Sequence, residues 1–582
     1  MDERSENDQS EIVAALAEPA AYPHRPERVV HLQTHLSHVF VAEPLAYKLK
    51  KPVRLSFVDF GTRELRRASC ATEVLLNRRL CAPLYLGVAS VTRGADGRFV
   101  VGETQAVSQA GDTSAREAST TVETLVCMRA LPASGMLPEA LREGRVDAEL
   151  LARFAHDLAR FHDGAPAEAE WVAAAGPEGL RRRWDDVLEN ADDLVGKVLS
   201  PSDRDLLCDF GARFVAAHER LVRARQRGGR IREGHGDLHT ANLCLVDPPL
   251  PAVANAPAVP AGLYAFDCIE FSAHLRSNDV ASEVAFLVMD LEMRGHRELA
   301  EAFVDAYEDA SGDREVRTLL PYYVTHRACV RGMVHGRTSC DTGLAADERA
   351  GAEERARAFF TQATRTAWQA AGPALVACMG LSGTGKTTLA IALAERLGAK
   401  LVSSDELRKR RAGLDPKKPA SAEQGASLYT DEARHAVYRD LVSAAGEALE
   451  AGRFVVADAT FTDEADRRLV AELARRKGVP HVFLECFADP EVIRERLAER
   501  ARAGETPGAP ALSDAGWDVY LRQRSEADPL RTDEPSLRVD ASGAQGDVLE
   551  RALDLVWSWR RGHPVLPFRS GGDVGRRERN DE

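Results

Sequence analysis

The sequence predicts a multidomain chain of α/β and α+β class, in which a small sheet and a large helical region precede a doubly wound parallel sheet. Strand-like pieces at 38–42, 46–50 and 55–60 come before a mainly helical stretch that starts near residue 138. After residue 373, apolar runs at 374–379, 400–404, 453–458 and 481–486 alternate with helical segments. Such runs are typical of parallel strands buried on both faces.

The 582 residues exceed what a single hydrophobic core supports, so we expect several parts. A main boundary is predicted near Gly372, where a helical segment gives way to the apolar runs. The predicted organisation is an irregular N-terminus at 1–25, an α+β domain at 26–345, a helical linker at 346–372, an α/β domain at 373–567 and a disordered tail at 568–582.

Composition excludes several classes of function. A formal net charge of −14 argues against a nucleic-acid coat or a polybasic membrane anchor, without excluding an oligonucleotide acceptor. Ten cysteines without a Cys-x-x-Cys pair indicate neither a zinc site nor a disulfide framework. The sequence contains no signal-peptide pattern at its start and no apolar run of about 18 residues, so we expect a cytoplasmic protein that does not enter membranes.

The stretch Gly380-Leu-Ser-Gly-Thr-Gly-Lys-Thr387 matches the phosphate-binding pattern G-x-x-x-x-G-K-[ST] and lies between an apolar strand and a helix. Its glycines let backbone N–H groups turn toward phosphates, and the helix N-terminus adds partial positive charge. Lys386 is expected to contact the β- and γ-phosphates, and Thr387 to ligate Mg²⁺. A chance glycine-rich turn is the alternative. The predicted nucleotide-binding residues are Gly380, Ser382, Gly383, Thr384, Gly385, Lys386, Thr387 and Thr388.

Further features around this P-loop favour phosphoryl transfer. Asp405 and Arg408 follow the second strand, where a carboxylate can accept the proton of an acceptor hydroxyl; a helix-capping aspartate is the alternative. Asp458 ends the third strand and is a candidate to hold Mg²⁺ through water, with a structural role as the alternative. Arg496 and Arg500, with Arg494 on the same helix, could belong to a lid that brings positive charge to the transition state; an exposed, salt-bridged helix competes.

A second constellation lies in the first half of the chain. In His235-Gly-Asp-Leu-His-Thr-Ala-Asn242, Asp237 and Asn242 have the spacing of a proton-accepting aspartate and a magnesium-binding asparagine. Downstream, an apolar strand ends at Asp267, where a further carboxylate could take the metal; a structural role for both elements is the alternative.

Upstream of this constellation, a lysine for the nucleotide phosphates and a glutamate that holds the lysine are expected. Lys48 is the preferred lysine because Leu45-Ala-Tyr precedes it in the manner of V-A-I-K. Lys50 on the same strand face is a rival, and Lys51 is a poorer one. Glu73 is the candidate glutamate, with a solvated helix residue as the alternative.

The P-loop half resembles the small P-loop kinases that include gluconate kinase, polynucleotide 5′-kinase and zeta-type toxins. The resemblance covers 373 to about 560 and rests on GLSGTGKTT, SSDELRK, DATF (458–461) and RERLAER (494–500). It implies that Asp405 binds or activates an acceptor hydroxyl and that Arg408 contacts the substrate. It implies phosphoryl transfer without naming the acceptor.

The first half resembles the aminoglycoside phosphotransferase and choline kinase branch of the protein-kinase-like fold, through HGDLHTAN (235–242) and FDCIEF (266–271). With THLSHVF, AYKLKKPV and NRRLCAPLYLGV, the chain is similar to a two-domain bacterial family described as bifunctional aminoglycoside phosphotransferase/ATP-binding protein (AAA family ATPase-labelled). The resemblance implies a bilobal kinase-like fold before a P-loop NTPase fold. Two departures stand out: the chain has no Gly-rich loop before Lys48, and Glu270 is a possible further ligand.

The sequence thus predicts an enzyme that uses ATP and Mg²⁺ at two sites, each transferring a phosphoryl group to a hydroxyl of a small-molecule acceptor. An alternative is a nucleotide-driven P-loop switch coupled to a non-catalytic binding module. A third possibility is that one half is active and the other regulates it.

Overall fold

The structure is a computed structural model, and it describes residues 3–55, 58–108, 120–253, 256–414, 431–504 and 516–563. Its residue contacts divide the chain into two compact units, Met1–Asp186 with Ala212–Arg327 and Val187–Gly211 with Ala328–Glu582. The predicted tail at 568–582 lies outside the described residues, and so do residues 505–515, which follow the helix of the predicted lid arginines. No helix of the described part is both long and apolar enough to cross a membrane.

The first unit contains an antiparallel sheet of six strands in the order β1-β2-β3-β8-β6-β7, and a separate antiparallel pair of short strands, β4-β5. The predicted strands at 38–42 and 46–50 are confirmed as β2 and β3, and the described residues of the predicted strand 55–60 contribute Leu55 to β4 and Val58–Asp59 to β5. Their bounds are β1 Val30–Gln33, β2 Ser37–Ala42, β3 Leu45–Lys50, β4 Arg54–Leu55, β5 Val58–Asp59, β6 Tyr85–Arg93, β7 Phe99–Gln105 and β8 Thr121–Arg129.

One helix covers each face of this sheet. Helix α1 (Glu3–Leu16) packs Ile12 and Leu16 against Phe40 and the other side chains of one face. Helix α2 (Arg63–Cys81) packs against the opposite face. The sequence predicted an irregular N-terminus at 1–25, but Glu3–Leu16 forms a helix. Ile12 and Leu16 lie four residues apart on one side of this helix and bury their apolar surface.

The rest of the first unit is mainly helical, as predicted from about residue 138. Helix α10, which is buried from Val280 to Leu291, lies beneath the segment 234–242 and carries Glu283 and Asp290 into the interior. The helices between the six-stranded sheet and the P-loop are α3 Leu137–Arg142, α4 Ala148–Gly164, α5 Ala169–Ala174, α6 Pro177–Glu189, α7 Pro201–Ala217, α8 Glu219–Arg227, α9 Ala273–Arg276, α10 Val280–Met293, α11 Arg297–Ser311, α12 Val316–Ser339 and α13 Ala346–Ala370. The division between the two units passes through α6, α7 and α12, and α13 belongs to the second unit. Four short strands, β9 Ile231–Glu233, β10 Leu243–Val246, β11 Gly262–Ala265 and β12 Ser277–Asp279, form two antiparallel pairs.

The second unit contains a parallel five-stranded sheet in the order β14-β15-β13-β16-β17. The four apolar runs are confirmed as its first four strands in sequence, and the fifth was not predicted. The strands are β13 Leu375–Met379, β14 Lys400–Ser403, β15 Val455–Asp458, β16 His481–Phe487 and β17 Ser536–Asp540. The helices are α14 Lys386–Leu397, α15 Ser404–Arg411, α16 Asp431–Glu450, α17 Glu464–Lys477, α18 Pro490–Gly504, α19 Trp517–Glu526 and α20 Gln545–Arg561.

The crossover helices of this sheet bury its strands, which explains why the strands are apolar along their length. The order of the strands brings the carboxyl ends of β13, β14 and β15 to one edge. The P-loop, Asp405 and Asp458 follow or end these three strands, so the topology gathers them there.

Candidate active sites

The P-loop runs from the end of β13 into the first turn of α14. Gly380, Gly383 and Gly385 have φ angles of +150°, +85° and +91°, conformations that L side chains rarely adopt. A Cβ on Gly383 would lie 2.8 Å from Ile493 Cγ2, and one on Gly380 would lie 2.6 Å from the Cys486 carbonyl oxygen. Both backbone conformation and space therefore require glycine at these positions. The loop ends at Lys386, the first residue of the helix.

Asp458 lies at the bottom of the P-loop, where its carboxylate is almost completely buried (3% exposed). It accepts hydrogen bonds from Thr387 Oγ1 at 3.3 Å and from Ser403 Oγ at 3.2 Å. Register explains the second contact, because Ser403 and Asp458 are neighbours in the parallel pair β14-β15. Burial raises the pKa of Asp458, and the charge of Lys386 opposes that rise. Burial likewise lowers the pKa of Lys386, and Asp458 acts against this.

Asp405 lies in the first turn of α15, directly after β14. Its carboxylate is 3.1 Å from Arg408 Nη1 and 3.3 Å from Lys409 Nζ. The N-cap position of this helix belongs to Ser403, so Asp405 is not the capping residue. Asp405 also acts electrostatically on both Lys386 and Asp458, which means that it belongs to the same charged cluster.

The three lid arginines of α18 have different environments. Arg496 donates from Nη2 to the Ala541 carbonyl oxygen at 2.7 Å, while its buried Nη1 has no hydrogen-bond partner and lies 3.4 Å from where a Cβ on Gly385 would be. Arg500 lowers the pKa of Lys386 through its charge. Arg494 instead packs over the Trp517 ring at 4.6 Å. The structure therefore brings Arg496 and Arg500, but not Arg494, to the P-loop.

Gln523 is a P-loop contact that the sequence analysis missed. Its Oε1 accepts the backbone N–H of Ser382 at 2.9 Å. Gln523 lies on α19, and Tyr520 of the same helix is buried with Ile493 and Leu497. The helix after the lid loop is thereby attached to the phosphate loop. A single glutamine on a polar helix gives no recognisable signal in a sequence.

In the first unit, Asp237 and Asn242 lie together on the segment 234–242, which we call the 234–242 loop. Asn242 Nδ2 donates to Asp237 Oδ2 at 2.9 Å and to the Asp237 carbonyl oxygen at the same distance. His239 Nε2 lies 3.3 Å from Asp237 Oδ2. The predicted spacing therefore brings the carboxylate and the amide into direct contact.

Helix α10 holds the 234–242 loop from beneath. Glu283 Oε1 accepts the N–H of Gly236 at 2.6 Å, and Glu283 Oε2 lies 2.7 Å from His162 Nε2. Burial opposes the charge on Glu283, but the hydrogen bond and the charge of His162 lower the pKa of the carboxyl to about 2. Asp290 accepts the backbone N–H of Thr240 at 3.0 Å. Sequence analysis missed both carboxylates, although a charged residue inside an apolar helix such as 280–291 is a usable signal.

Lys48 and Glu73 form an ion pair at 3.0 Å, and Lys48 also contacts Asp267. Alternation along β3 puts Lys48 and Lys50 on the same face, toward α2. Lys50 accordingly meets the same glutamate at 2.6 Å, and it also pairs with Glu270. Glu73 is completely buried rather than solvated. Lys51 Nζ donates to the Thr34 carbonyl oxygen at 2.5 Å and takes no part in this cluster.

Asp267 has a φ of +61°, which is uncommon for a residue other than glycine. Its N–H donates to the Tyr85 hydroxyl at 3.1 Å, and the next N–H donates to Asn77 Oδ1 at 2.9 Å. These contacts hold the strained backbone, and the Asp267 side chain stays 42% exposed. Strain of this kind concentrates at functional sites.

Both sites contain oxygen donors of the kind that Mg²⁺ prefers. Asp267 and Asn242 provide a carboxylate and an amide in the first unit, and Thr387 and Asp458 provide a hydroxyl and a carboxylate in the second. Within the described ranges, no group of three or more His, Cys, Asp or Glu side chains is arranged for a metal. Mg²⁺ commonly takes only one or two protein carboxylates together with water and substrate phosphates, so two small sets suit it.

Comparison with known proteins finds a family model that matches the P-loop part of the chain and a related protein that matches most of the chain. Residues 375–527 match the family model AAA_33, an AAA domain, which confirms a P-loop domain in the C-terminal half. Uncharacterized protein Rv2004c of Mycobacterium tuberculosis (strain ATCC 25618 / H37Rv) is 31% identical over 499 residues, which cover 84% of this chain and 91% of that protein. The chain belongs to the family of Rv2004c.

Other relatives of this Rv2004c-family chain match shorter parts. The tRNA dimethylallyltransferase of Anaeromyxobacter dehalogenans (strain 2CP-C) is 39% identical over 139 residues, covering 22% of this chain and 44% of that enzyme. A gluconokinase from Sinorhizobium meliloti 1021 is 23% identical, covers 33% of this chain and 94% of its own, and has a TM-score of 0.22. The GDP complex of aminoglycoside 2′-phosphotransferase-IIIa is 14% identical, covers 58% and 93%, and has a TM-score of 0.35. TM-scores this low support no functional assignment.

Proposed function

We propose that the protein is an ATP- and Mg²⁺-dependent phosphotransferase with two nucleotide sites, each transferring the γ-phosphoryl group to a hydroxyl of a small-molecule acceptor. The observation that carries the proposal is the meeting of Lys48, Glu73 and Asp267, which come from three distant parts of the first unit. The second unit adds a glycine-formed P-loop with Lys386 and Asp458 at its base.

At the first site, Lys48 contacts the nucleotide phosphates and Glu73 holds the lysine in place. Asp237 accepts the proton of the acceptor hydroxyl and orients its oxygen for in-line attack. Asn242 both fixes the Asp237 carboxylate and offers its amide oxygen, with Asp267, to Mg²⁺. Buried Lys50 pairs with Glu73 and Glu270 and supports the glutamate from behind.

At the second site, the backbone N–H groups of the P-loop and the Lys386 ammonium bind the phosphates. Asp405 accepts the acceptor proton, and Arg408 holds this carboxylate and contacts the acceptor. Arg496 directs its unpartnered Nη1 toward the phosphates, and Arg500 adds charge beside Lys386. When bound, Mg²⁺ neutralises phosphate charge at both sites.

The proposal is tested by acceptor-dependent ADP formation from ATP. Wild type, Asp237→Asn and Lys386→Met are assayed with sugars, aminoglycosides, nucleosides, short oligonucleotides and tRNA. We expect each variant to lose turnover of one acceptor class, by roughly a hundredfold or more, while the other class is unaffected. Asp193→Asn, at an acidic residue outside both sites, is the matched control.

Each alternative gives a different result. A nucleotide-driven switch would hydrolyse ATP without any acceptor and would lose this activity only in Lys386→Met. A chain with one active half would show acceptor-dependent turnover that one variant abolishes completely. Loss of no activity in either variant would contradict the assignment of Asp237 and Lys386.

A further inference from the structure

A small cavity of about 10 Å³ lies beside the start of the 234–242 loop in the first unit. Its wall includes Gly234 of that loop and five charged side chains, Arg232, Arg276, Asp279, Glu283 and Arg327. This volume is about that of one water molecule, far below that of pockets for drug-sized ligands, so only the end of a small polar group can enter.

The two carboxylates of this wall are already satisfied. Asp279 pairs with Arg225 at 2.7 Å, and Glu283 binds His162 and the Gly236 N–H. Neither carboxylate serves as the counter-ion of Arg327.

Arg327 differs from the other arginines of this wall in its burial and in its partners. Arg276 is paired with Glu233 at 2.7 Å, and Arg232 is half-exposed. Arg327 is only 9% exposed, and among the described residues no carboxylate lies within ion-pair distance of it. Its Nε donates to Ser282 Oγ at 3.2 Å, and its guanidinium lies 4.7 Å from the centre of the Phe286 ring. A buried charge without a counter-ion costs stability, so this arginine calls for an anion.

Arg327 lies near Asp237, the residue proposed to accept the proton of the acceptor. The Phe286 ring that it covers is 5.3 Å from the ring of His239, whose Nε2 is 3.3 Å from Asp237. Burial lowers the pKa of Arg327, and the charges of Glu283 and Asp237 act against this. The guanidinium is thus close enough to the proposed base to feel its charge.

We propose that Arg327 determines acceptor specificity at the first site by binding an anionic group, a carboxylate or a phosphate, of the hydroxyl-bearing acceptor. This inference rests on the function proposed above. The planar fork of a guanidinium matches the paired oxygens of both groups, and burial strengthens the contact. Binding would bring the acceptor hydroxyl to Asp237 and would neutralise the isolated charge.

The direct test measures anion binding without turnover. The chain carries Lys386→Met throughout, so that the P-loop does not bind phosphate. The unfolding temperature is followed during titration with sodium phosphate, and separately with sodium malonate, at constant ionic strength against sodium chloride. We expect Arg327→Met to weaken the apparent affinity for at least one of the two anions by roughly tenfold or more. Equal affinities for both anions with and without Arg327 would overturn the proposal.

Two further variants make this comparison interpretable. Arg331→Met, one turn further along α12, removes an arginine that also packs on an aromatic ring, Phe359, and should leave anion affinity unchanged. Arg327→Lys keeps the charge but not the fork, and should weaken the affinity by roughly fivefold or more even if Arg327→Met does not fold. Unchanged affinity in the folded lysine variant would also overturn the proposal.

A turnover arm separates this inference from the proposed function. With the same Lys386→Met chain, ADP formation is compared for matched acceptors: glucose with glucuronate and glucose 6-phosphate, and glycerol with glycerate. We expect the anionic partners to be preferred, and Arg327→Met to raise the KM for them roughly tenfold or more without changing the KM for ATP. Preference for the neutral partners would overturn the inference. Absence of any acceptor-dependent turnover would count against the proposed function, and the binding arm would still decide the role of Arg327.

Discussion

Lys48 and Lys50 are two positions apart on one strand, yet they differ in what surrounds them. Both pair with Glu73, but the Lys48 side chain is 13% exposed and contacts Asp267, whereas the Lys50 side chain is 1% exposed and contacts Glu270. The more open lysine faces the residues proposed to bind the nucleotide and metal. The more buried lysine serves to neutralise two carboxylates inside the protein.

This difference predicts two distinct outcomes for the same substitution. Lys48→Met should raise the KM for ATP at the first site and change stability less. Lys50→Met should lower the free energy of unfolding by about 3–5 kcal/mol, because it leaves the buried Glu270 carboxylate without its lysine partner, whereas Glu73 keeps Lys48. Urea denaturation and nucleotide titration measure both quantities. If Lys50→Met weakened ATP binding at unchanged stability and Lys48→Met did not, the assignment of the two lysines would have to be exchanged.

The Glu283 carboxylate predicts a dependence of stability on pH. Its pKa in the folded state is about 2, below the ordinary value of 4.5. A carboxyl with a lowered pKa stabilises the folded state above pH 4.5, and this contribution, on the order of 3 kcal/mol, is lost as the pH falls from 4.5 toward 2. We expect Glu283→Gln to be less stable than wild type at neutral pH and to lose this deficit toward pH 2. Glu149→Gln, at an exposed residue of α4, is the control. A deficit of Glu283→Gln that stayed constant over this pH range would contradict the prediction.

At the level of secondary-structure elements, the second site depends on how closely α18 approaches the P-loop. Ile493 and Leu497 of this helix lie where a side chain on Gly383 would be. The glycine therefore allows both the left-handed backbone and the packing of the helix that carries Arg496.

Alanine substitutions at Gly383 and at a control glycine, Gly478, separate the effect of backbone strain from that of steric conflict. Gly383→Ala should weaken nucleotide binding by roughly tenfold or more, because the loop or α18 must shift to admit the methyl group. Gly478 also has a positive φ, of +64°, but no atom lies within 4 Å of its added Cβ. Gly478→Ala should cost about 1–2 kcal/mol of stability and leave nucleotide binding unchanged. Equal nucleotide affinities in the two variants would contradict this account of the P-loop.

The elements that the sequence predicted well are those whose pattern is local. The four buried parallel strands are continuous apolar runs, and the spacing of Asp237 and Asn242 reflects one short loop. The edge strand β17 was missed because polar and apolar residues alternate along Ser536–Asp540 and one of its five side chains is buried.

The missed site contacts depend on tertiary structure. Gln523 meets Ser382 across 141 residues, and Tyr85 meets Asp267 across 182. Such contacts leave no period in a single sequence. The pairing of Glu73 with Lys48 could be proposed only because a kinase-like lysine requires a partner, and whether these residues bind nucleotide stays a prediction.

For the molecule as a whole, each proposed site lies within one compact unit. Lys48, Glu73, Asp237, Asn242 and Asp267 all belong to Met1–Asp186 with Ala212–Arg327, and the P-loop, Asp405 and Asp458 belong to the other unit. Among the described residues, each of these sets comes from a single unit. Inactivation of one site should therefore leave nucleotide binding at the other site intact.

The measurement that tests the central claim most directly is the number of nucleotides bound by each chain. Isothermal titration of wild type, Lys48→Met and Lys386→Met with a non-hydrolysable ATP analogue and Mg²⁺ gives this number. The account predicts two nucleotides per wild-type chain and one tightly bound nucleotide in each variant, at the affinity of the remaining site. A single nucleotide in the wild type, lost only in Lys386→Met, would contradict the two-site phosphotransferase.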